Sequence, residues 1–284
     1  MTDLPPAPRR VEIPAFPRNL RIAVTTSFDD GTVEDRQVVE AFNRWGLKGT
    51  FNLNSGLLTR HGRPAGHGAH HLDACEVAAL YAGHEVAVHM VTHPWPTRLD
   101  NTQIAAEVLD DRRALEDLVG YPVRGMAYPF GDYNQRVIEV LRQCGIVYSR
   151  TVEASPRCFP PAEPLAWPAT GHQFDEKPEP MAVRFSRWYD SGGTGVFFVW
   201  GHSFEFDRRN DWQALETIYR PLSGKSDVWY ATNLELFDYE AARRSMVIAA
   251  NRRSAYNPSA LAVTLNVDGT LIDAAPGVVT PLSV

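Results

Sequence analysis

Cysteine is scarce: 284 residues contain only Cys75, Cys144 and Cys158. An odd count without CxxC spacing excludes a disulfide framework and a zinc knuckle. Cys144 lies in an apolar-patterned stretch and reads as core. Long basic runs are absent as well. The net charge is −6, from 28 Lys and Arg against 34 Asp and Glu, so nucleic acid is not an expected partner. No apolar stretch approaches the ~20 residues of a membrane span. The opening MTDLPPAPRR lacks the apolar core of a signal peptide. These absences give the expectation of a cytoplasmic protein with no membrane partner, and no feature fixes an oligomeric state.

What is present reads as an ordinary globular chain. Hydrophobic content of 44% and charged content of 22% suit one large α/β domain or two small ones. Residues 1–20 hold five prolines and should form an extended arm. Strands and helices then alternate. Strands are expected over 21–28, 49–54, 85–89, 124–128, 146–151, 195–200 and 228–232. Helices are expected over 33–45, 72–82, 102–119, 133–144, 211–219 and 235–251, with 181–189 open between strand and helix. Such alternation favours a parallel sheet or barrel. Residues 152–184 are proline-rich and without period, and read as a long loop. Residues 261–272, with Asp268-Gly269 at their centre, read as a hairpin with a type I′ turn. The expected division is an arm over 1–20, a barrel over 21–251 and a small β appendage over 252–284.

The chemistry concentrates at strand ends, where barrels of this kind carry their reactive residues. Asp29 and Asp30 close the first strand, and His89 and His93 follow the third. Two adjacent carboxylates repel, and near a core they need a cation or a proton. One carboxylate and two imidazoles can hold a divalent metal and leave positions open for water and substrate. The second carboxylate is then available as a base. Tyr128-Pro129-Phe130-Gly131, Arg150 and His202 fall at further strand ends. Each also has a plain reading, as a turn, a surface residue or a hydrogen-bonded core histidine. His61, His67, His70 and His71 read as loop residues rather than ligands. Glu205 and Asp207 are weak candidates to orient His202.

Together these segments resemble the polysaccharide deacetylases of carbohydrate esterase family four, the NodB homology domain. The likeness covers about residues 20–235. Ser27-Phe28-Asp29-Asp30-Gly31 matches the family's first motif, Thr-Phe-Asp-Asp-Gly. His89-Met90-Val91-Thr92-His93 matches the second, with Met90 replacing a hydroxyl residue. Ala127-Tyr128-Pro129-Phe130-Gly131 corresponds to the third, and Trp200-Gly201-His202 to the fifth. The fourth is indistinct, with Trp167 and Trp188 as possible stand-ins. Ala127 stands where the family has an arginine that holds the catalytic aspartate.

The resemblance implies a distorted (β/α)7 barrel and one divalent metal on Asp30, His89 and His93. Zinc is the default, with cobalt, nickel or iron also suited to the ligand set. It implies Asp29 as base, His202 as general acid, and the Phe130 N–H as an oxyanion donor. Arg150, one strand beyond Ala127, is the candidate to replace the missing arginine. Tyr128, Trp95, Trp167 and Trp200 are the candidate substrate-binding aromatics. The expected reaction removes N- or O-linked acetyl groups from an acetylated carbohydrate. The competing readings are hydrolysis of a small non-sugar amide of the allantoin type, and a non-catalytic, metal-bearing carbohydrate-binding module.

Overall fold

A computed structural model describes residues 10–59, 70–177 and 179–282. The chain forms two compact units. The larger comprises Val24–Ser226 and Tyr230–Leu234; the smaller takes the chain up to Ala23, Asp227–Trp229 and Glu235–Val284. No helix among the described residues is long and apolar enough to cross a membrane.

The larger unit alternates strands and helices as the sequence pattern predicts. Its first half runs β1 (Ile22–Asp29, in this unit from Val24 onward), α1 (Asp35–Trp45), β2 (Thr50–Leu53), α2 (Val77–Leu80), β3 (Glu85–Val88) and α3 (Asn101–Val119). Next come β4 (Gly125–Ala127), α4 (Gln135–Gln143), β5 (Tyr148–Ala154), β6 (Trp167–Ala169) and β7 (Gly171–His172). The unit continues with α5 (Met181–Asp190), β8 (Gly195–Gly201), α6 (Phe204–Arg208) and α7 (Gln213–Tyr219). Every residue of β1 is buried, as both faces of a parallel strand require. Helix α3 begins on a capping box between Asp100 and Gln103 and stops at left-handed Gly120.

The sheet order is β6-β5-β4-β3-β2-β1-β8-β7. The two ends of that order are neighbours in the chain. β6 pairs in parallel with β5, β7 pairs in parallel with β8, and Thr170 between them donates its N–H to the Phe198 carbonyl at 2.8 Å. One stretch, from Trp167 to His172, thus joins both edges, and the strands make the expected distorted (β/α)7 barrel. This stretch lies inside the expected long loop of 152–184. Its Pro168 and small residues hide the strand pattern.

Other expectations shift locally. The helix expected over 72–82 is a short turn, Ala74–Glu76, followed by the single turn of α2, because Asp73 caps the chain late and Gly83 ends it. Residues 181–189 resolve as helix α5. Cys144 is buried, as expected.

The smaller unit departs from the expected boundaries at 20/21 and 251/252. Its N-terminal segment is extended but not a free arm: Val11–Glu12 pairs antiparallel with Val263–Val267, which pairs in turn with Thr270–Ala274. The turn between the last two is the expected one, with Asp268 at φ 49° and Gly269 at φ 95°. A second small sheet joins Val247–Ile248, Ser254–Tyr256 and Val279–Pro281. The last helix ends at Ser245 rather than 251, because β-branched Val247 and Ile248 enter that sheet. Leu265, Val267, Ala274 and Leu282 form the unit's core, with Val11 and Ile13 packed against it. Residues 1–9 of the expected arm lie outside the described residues.

Trp167 corrects a sequence expectation. It is 0% exposed, its indole N–H donates to the Cys158 carbonyl at 2.7 Å, and it packs on Tyr148 and Phe198. A strand residue wedged between strands cannot line a substrate groove. Trp167→Ala should therefore cost about 3–5 kcal/mol of stability, read by urea denaturation. A variant with wild-type stability but weaker substrate binding would contradict this placement.

Candidate active site

The reactive residues sit at the C-terminal ends of the barrel strands. β1 ends in Asp29, and the chain then turns sharply: Asp30 has φ 79° and Gly31 φ 64°. A Cβ at Gly31 would lie 2.7 Å from Leu53 Cδ2, so only glycine fits both the conformation and the space. Met90 (φ 62°), His93 (φ 54°) and Phe130 (φ 58°) are left-handed too. Such residues cost roughly 1–3 kcal/mol each and cluster at functional sites.

Asp29 is buried, and both its oxygens are held. Asn52 Nδ2 donates to Oδ1 at 2.8 Å, while the buried Arg150 guanidinium donates through Nη2 to Oδ2. Burial pushes the Asp29 carboxyl up. Arg150 first, then His89 and His202, more than reverse this and hold it at about 2. Arg150 is the register partner of Ala127 on the adjacent strand. It also lies over the Trp200 ring, 4.2 Å from the centroid.

Asp30 faces the other way. Its Oδ1 is 3.5 Å from both His89 Nε2 and His93 Nε2. The three ligand atoms lie within 4.8 Å of one another, a set one cation can draw together. His89 Nδ1 lies 2.8 Å from the Ala127 carbonyl. A carbonyl only accepts, so the proton belongs on Nδ1 and the Nε2 lone pair faces Asp30. Burial lowers His89 to about 4, which keeps the imidazole neutral and able to ligate. These residues fit a divalent metal.

Phe130 occupies a tight turn. Its neighbours Gly131 and Asp132 donate their amides to Tyr128 and Pro129 at 3.0 Å, and these bonds do not use the Phe130 N–H. Gly131 has φ 65°, and a Cβ there would meet Val152 at 2.5 Å. Opposite Asp29, His202 Nε2 is 3.9 Å from Oδ2. Burial disfavours the charged imidazole of His202. Contact with Glu205 and the charges of Asp29 and Asp30 outweigh this and raise its pKa. At 3.5 Å from Nδ1 to Glu205 Oε1, that contact is an ion pair rather than a formed hydrogen bond.

These groups line a cavity of about 350 Å³, walled by Tyr128, Phe130, Val152, Trp200 and Phe204. A larger groove of about 800 Å³, lined by Arg36, Arg44, Trp45, Trp212 and Arg220, contains none of them, so the chemistry belongs to the smaller cavity. Trp95 stands 40% exposed beside it, stacked on Phe130 at 4.1 Å and covered by Arg98 at 4.7 Å. Tyr128 is buried, with its hydroxyl donating to the Leu165 carbonyl.

Residues 18–149 match the family model for polysaccharide deacetylase. This segment belongs to the polysaccharide deacetylase family. The peptidoglycan-N-acetylglucosamine deacetylase PgdA of Listeria monocytogenes is 28% identical over 145 residues, 48% of this chain and 27% of that relative. The chain thus spans about a quarter of the length of the curated relatives first matched. A Mycobacterium smegmatis protein assigned to the polysaccharide deacetylases has a TM-score of 0.57 at 17% identity, covering 85% of this chain and 96% of that one. A family 4 acetyl xylan esterase from Clostridium thermocellum, in complex with a cobalt ion, gives 0.52 at 15% identity, covering 76% and 90%. At these identities the likeness is one of fold.

Within this deacetylase fold, the structure brings Asp29, Asp30, His89, His93, Tyr128, Phe130, Trp200 and His202 to one cavity, with Arg150 buried against Asp29. It leaves out Trp167. His61 and His67 lie outside the described residues. His71 is buried, with Nδ1 3.0 Å from the Asp30 carbonyl, and supports the strained turn. Several supports were not singled out from sequence. Asp111 accepts the His89 and Ser55 N–H groups, and Asn54 donates to the His89 and Met90 carbonyls. Their only signal in the sequence is a polar residue at a core position.

Arg150→Met should cost about 3–5 kcal/mol at pH 7, because it leaves Asp29 buried and unpaired. Asp29's folded pKa is depressed, so its contribution is complete above the ordinary 3.8 and is lost as pH falls through about 2. Urea denaturation of wild type and variant should converge over that range. A difference that does not change with pH would refute the pairing.

Proposed function

We propose that this chain is a metal-dependent hydrolase that removes acetyl groups, N- or O-linked, from an acetylated carbohydrate. One observation carries the reading: two adjacent carboxylates are split between two tasks. Asp29 is buried against Arg150 and Asn52, while Asp30 shares an oxygen's reach with two histidine Nε2 atoms. A binding module has no need of the first.

Asp30, His89 and His93 would hold the cation, with zinc the best fit to two imidazoles and a carboxylate, and cobalt, nickel or iron also suited. A divalent metal there supplies a Lewis acid and lowers the pKa of water in its open positions. Asp29, ionised from about pH 2 upward, takes a proton from the attacking water. Arg150 and Asn52 keep its carboxylate aimed. The Phe130 N–H donates to the oxygen on which charge develops, a contribution of roughly 3–4 kcal/mol for such donors. His202 Nε2, on the far side of Asp29 Oδ2, gives its proton to the departing nitrogen or oxygen. Trp200, Tyr128 and Phe130 wall the acyl side, with Trp95 at the rim.

The deciding experiment is acetate release from acetylated chitooligomers, acetylated xylan and small amides, with chelator and with added zinc. Turnover of a carbohydrate substrate restored by metal supports the reading. Turnover confined to small amides would replace the substrate class, and none at all would end it. His89→Ala should lose about one metal per chain by elemental analysis. Asp29→Asn should keep the metal and lose ~10²–10⁴ in rate.

The raised His202 pKa gives a pH prediction. The acid form persists above the ordinary 6.5, and the rate declines as pH rises through the raised value. Residual activity of His202→Ala should lack that decline. Retention of the same alkaline limb would remove His202 from the role.

A further inference from the structure

The catalytic reading uses His202 and leaves its neighbour His172 without a task. His172 ends β7, the short strand concealed in the proline-rich stretch. Its Nε2 lies 3.1 Å from Glu205 Oε2. Gln173 Nε2 donates to that same oxygen at 2.6 Å and to the His202 carbonyl at 2.8 Å. Gln173 is fixed in turn, because its Oε1 accepts from the buried Tyr219 hydroxyl at 3.0 Å. Gly201 leaves room for this crossing, since a Cβ there would lie 2.2 Å from Gln173 Cδ.

Both donors go to Oε2, which leaves Oε1 for His202. That oxygen is 3.5 Å from His202 Nδ1, a buried atom with no other partner among the described residues. The opposite nitrogen, Nε2, faces Asp29. A carboxylate held at Nδ1 fixes which tautomer the ring adopts and where its other edge points.

We infer that Glu205 and His172 are positioning residues for His202: Glu205 accepts the Nδ1 proton, and His172 with Gln173 locks the carboxylate that does so. The inference rests on His202 being the general acid. It adds an imidazole–carboxylate–imidazole chain that runs from the reacting centre through α6 to β7. His172 touches no reacting atom. Its effect passes through Glu205.

The test exploits leaving groups. An amide nitrogen must be protonated to depart, whereas 4-nitrophenolate leaves unaided. The full-length, metal-loaded chain is assayed on an N-acetylated chitooligomer and on 4-nitrophenyl acetate. His172→Ala should lower kcat on the amide roughly tenfold, part of the ~10²–10⁴ that a positioned acid supplies. KM and the ester rate should stay within about twofold. His172→Gln keeps a donor for Glu205 and should recover part of the amide rate; it also serves if the alanine variant does not fold. Equal loss on both substrates, or no loss on either, would overturn the inference.

His202→Ala in the same assay separates the two layers. If it spares the amide, the acid reading fails and takes this inference with it. If it is selective for the amide and His172 variants are not, only the inference fails. His172, His202 and Glu205 also lie close enough to ligate a cation. A second zinc per wild-type chain that His172→Ala removes would make the cluster a metal site and refute the positioning role.

Discussion

The site depends on the contact between Asp29 and Arg150. Both side chains are buried, and neither charge could remain there alone. Their pairing lets a carboxylate stay ionised at the floor of a cavity that also holds three histidines. The pairing has a backbone origin, because Arg150 sits on β5 in register with Ala127 of β4. A small residue at 127 and a long one at 150 let the guanidinium cross over the Trp200 ring to reach β1. Asn52, from the neighbouring β2, closes the other side. Four strands therefore contribute to the state of one carboxylate.

Around that pair, the chain places its reactive groups by sharp turns rather than by long loops. Asp30, Met90, His93 and Phe130 all adopt positive φ without being glycine. The surrounding structure holds them there. His71 grips the carbonyl of Asp30, Asn54 and Asp111 grip the turn that starts at His89, and the Thr97 hydroxyl and N–H bind Asp132 beyond the Phe130 turn. The buried polar residues at 54 and 111 are thus a means of fixing strained backbone beside the ligands.

Much of this was legible in the sequence, because strand-end chemistry follows from short local patterns. The run into Asp29-Asp30-Gly31 and the spacing of His89 and His93 each lie within a single turn of chain, and local reading suffices for them. Arg150 could be anticipated from neighbouring strands in a barrel. Trp167 could not be placed. Its strand is three residues long and contains a proline, so no alternation revealed which way the ring would point. The two-residue strand β7 that follows likewise concealed His172, and Gln173 just beyond it, whose side-chain partners lie 29 to 46 residues away. The smaller unit failed for a related reason, since proline marks the N-terminal segment as extended but not what it pairs with.

The register of Ala127 with Arg150 bears on how a barrel places its side chains. In a barrel-like sheet, a functional address is a height along the axis and an angle around it, and adjacent strands share nearly the same address. A cation can move from one strand to the next and arrive at the same point in space. Position 127 carries alanine, and the guanidinium that meets Asp29 comes from position 150 on the adjacent strand. The two sites are coupled by volume, since one crossing side chain fills the room the other would need. A guanidinium at both positions would crowd the floor, and alanine at both would leave it empty.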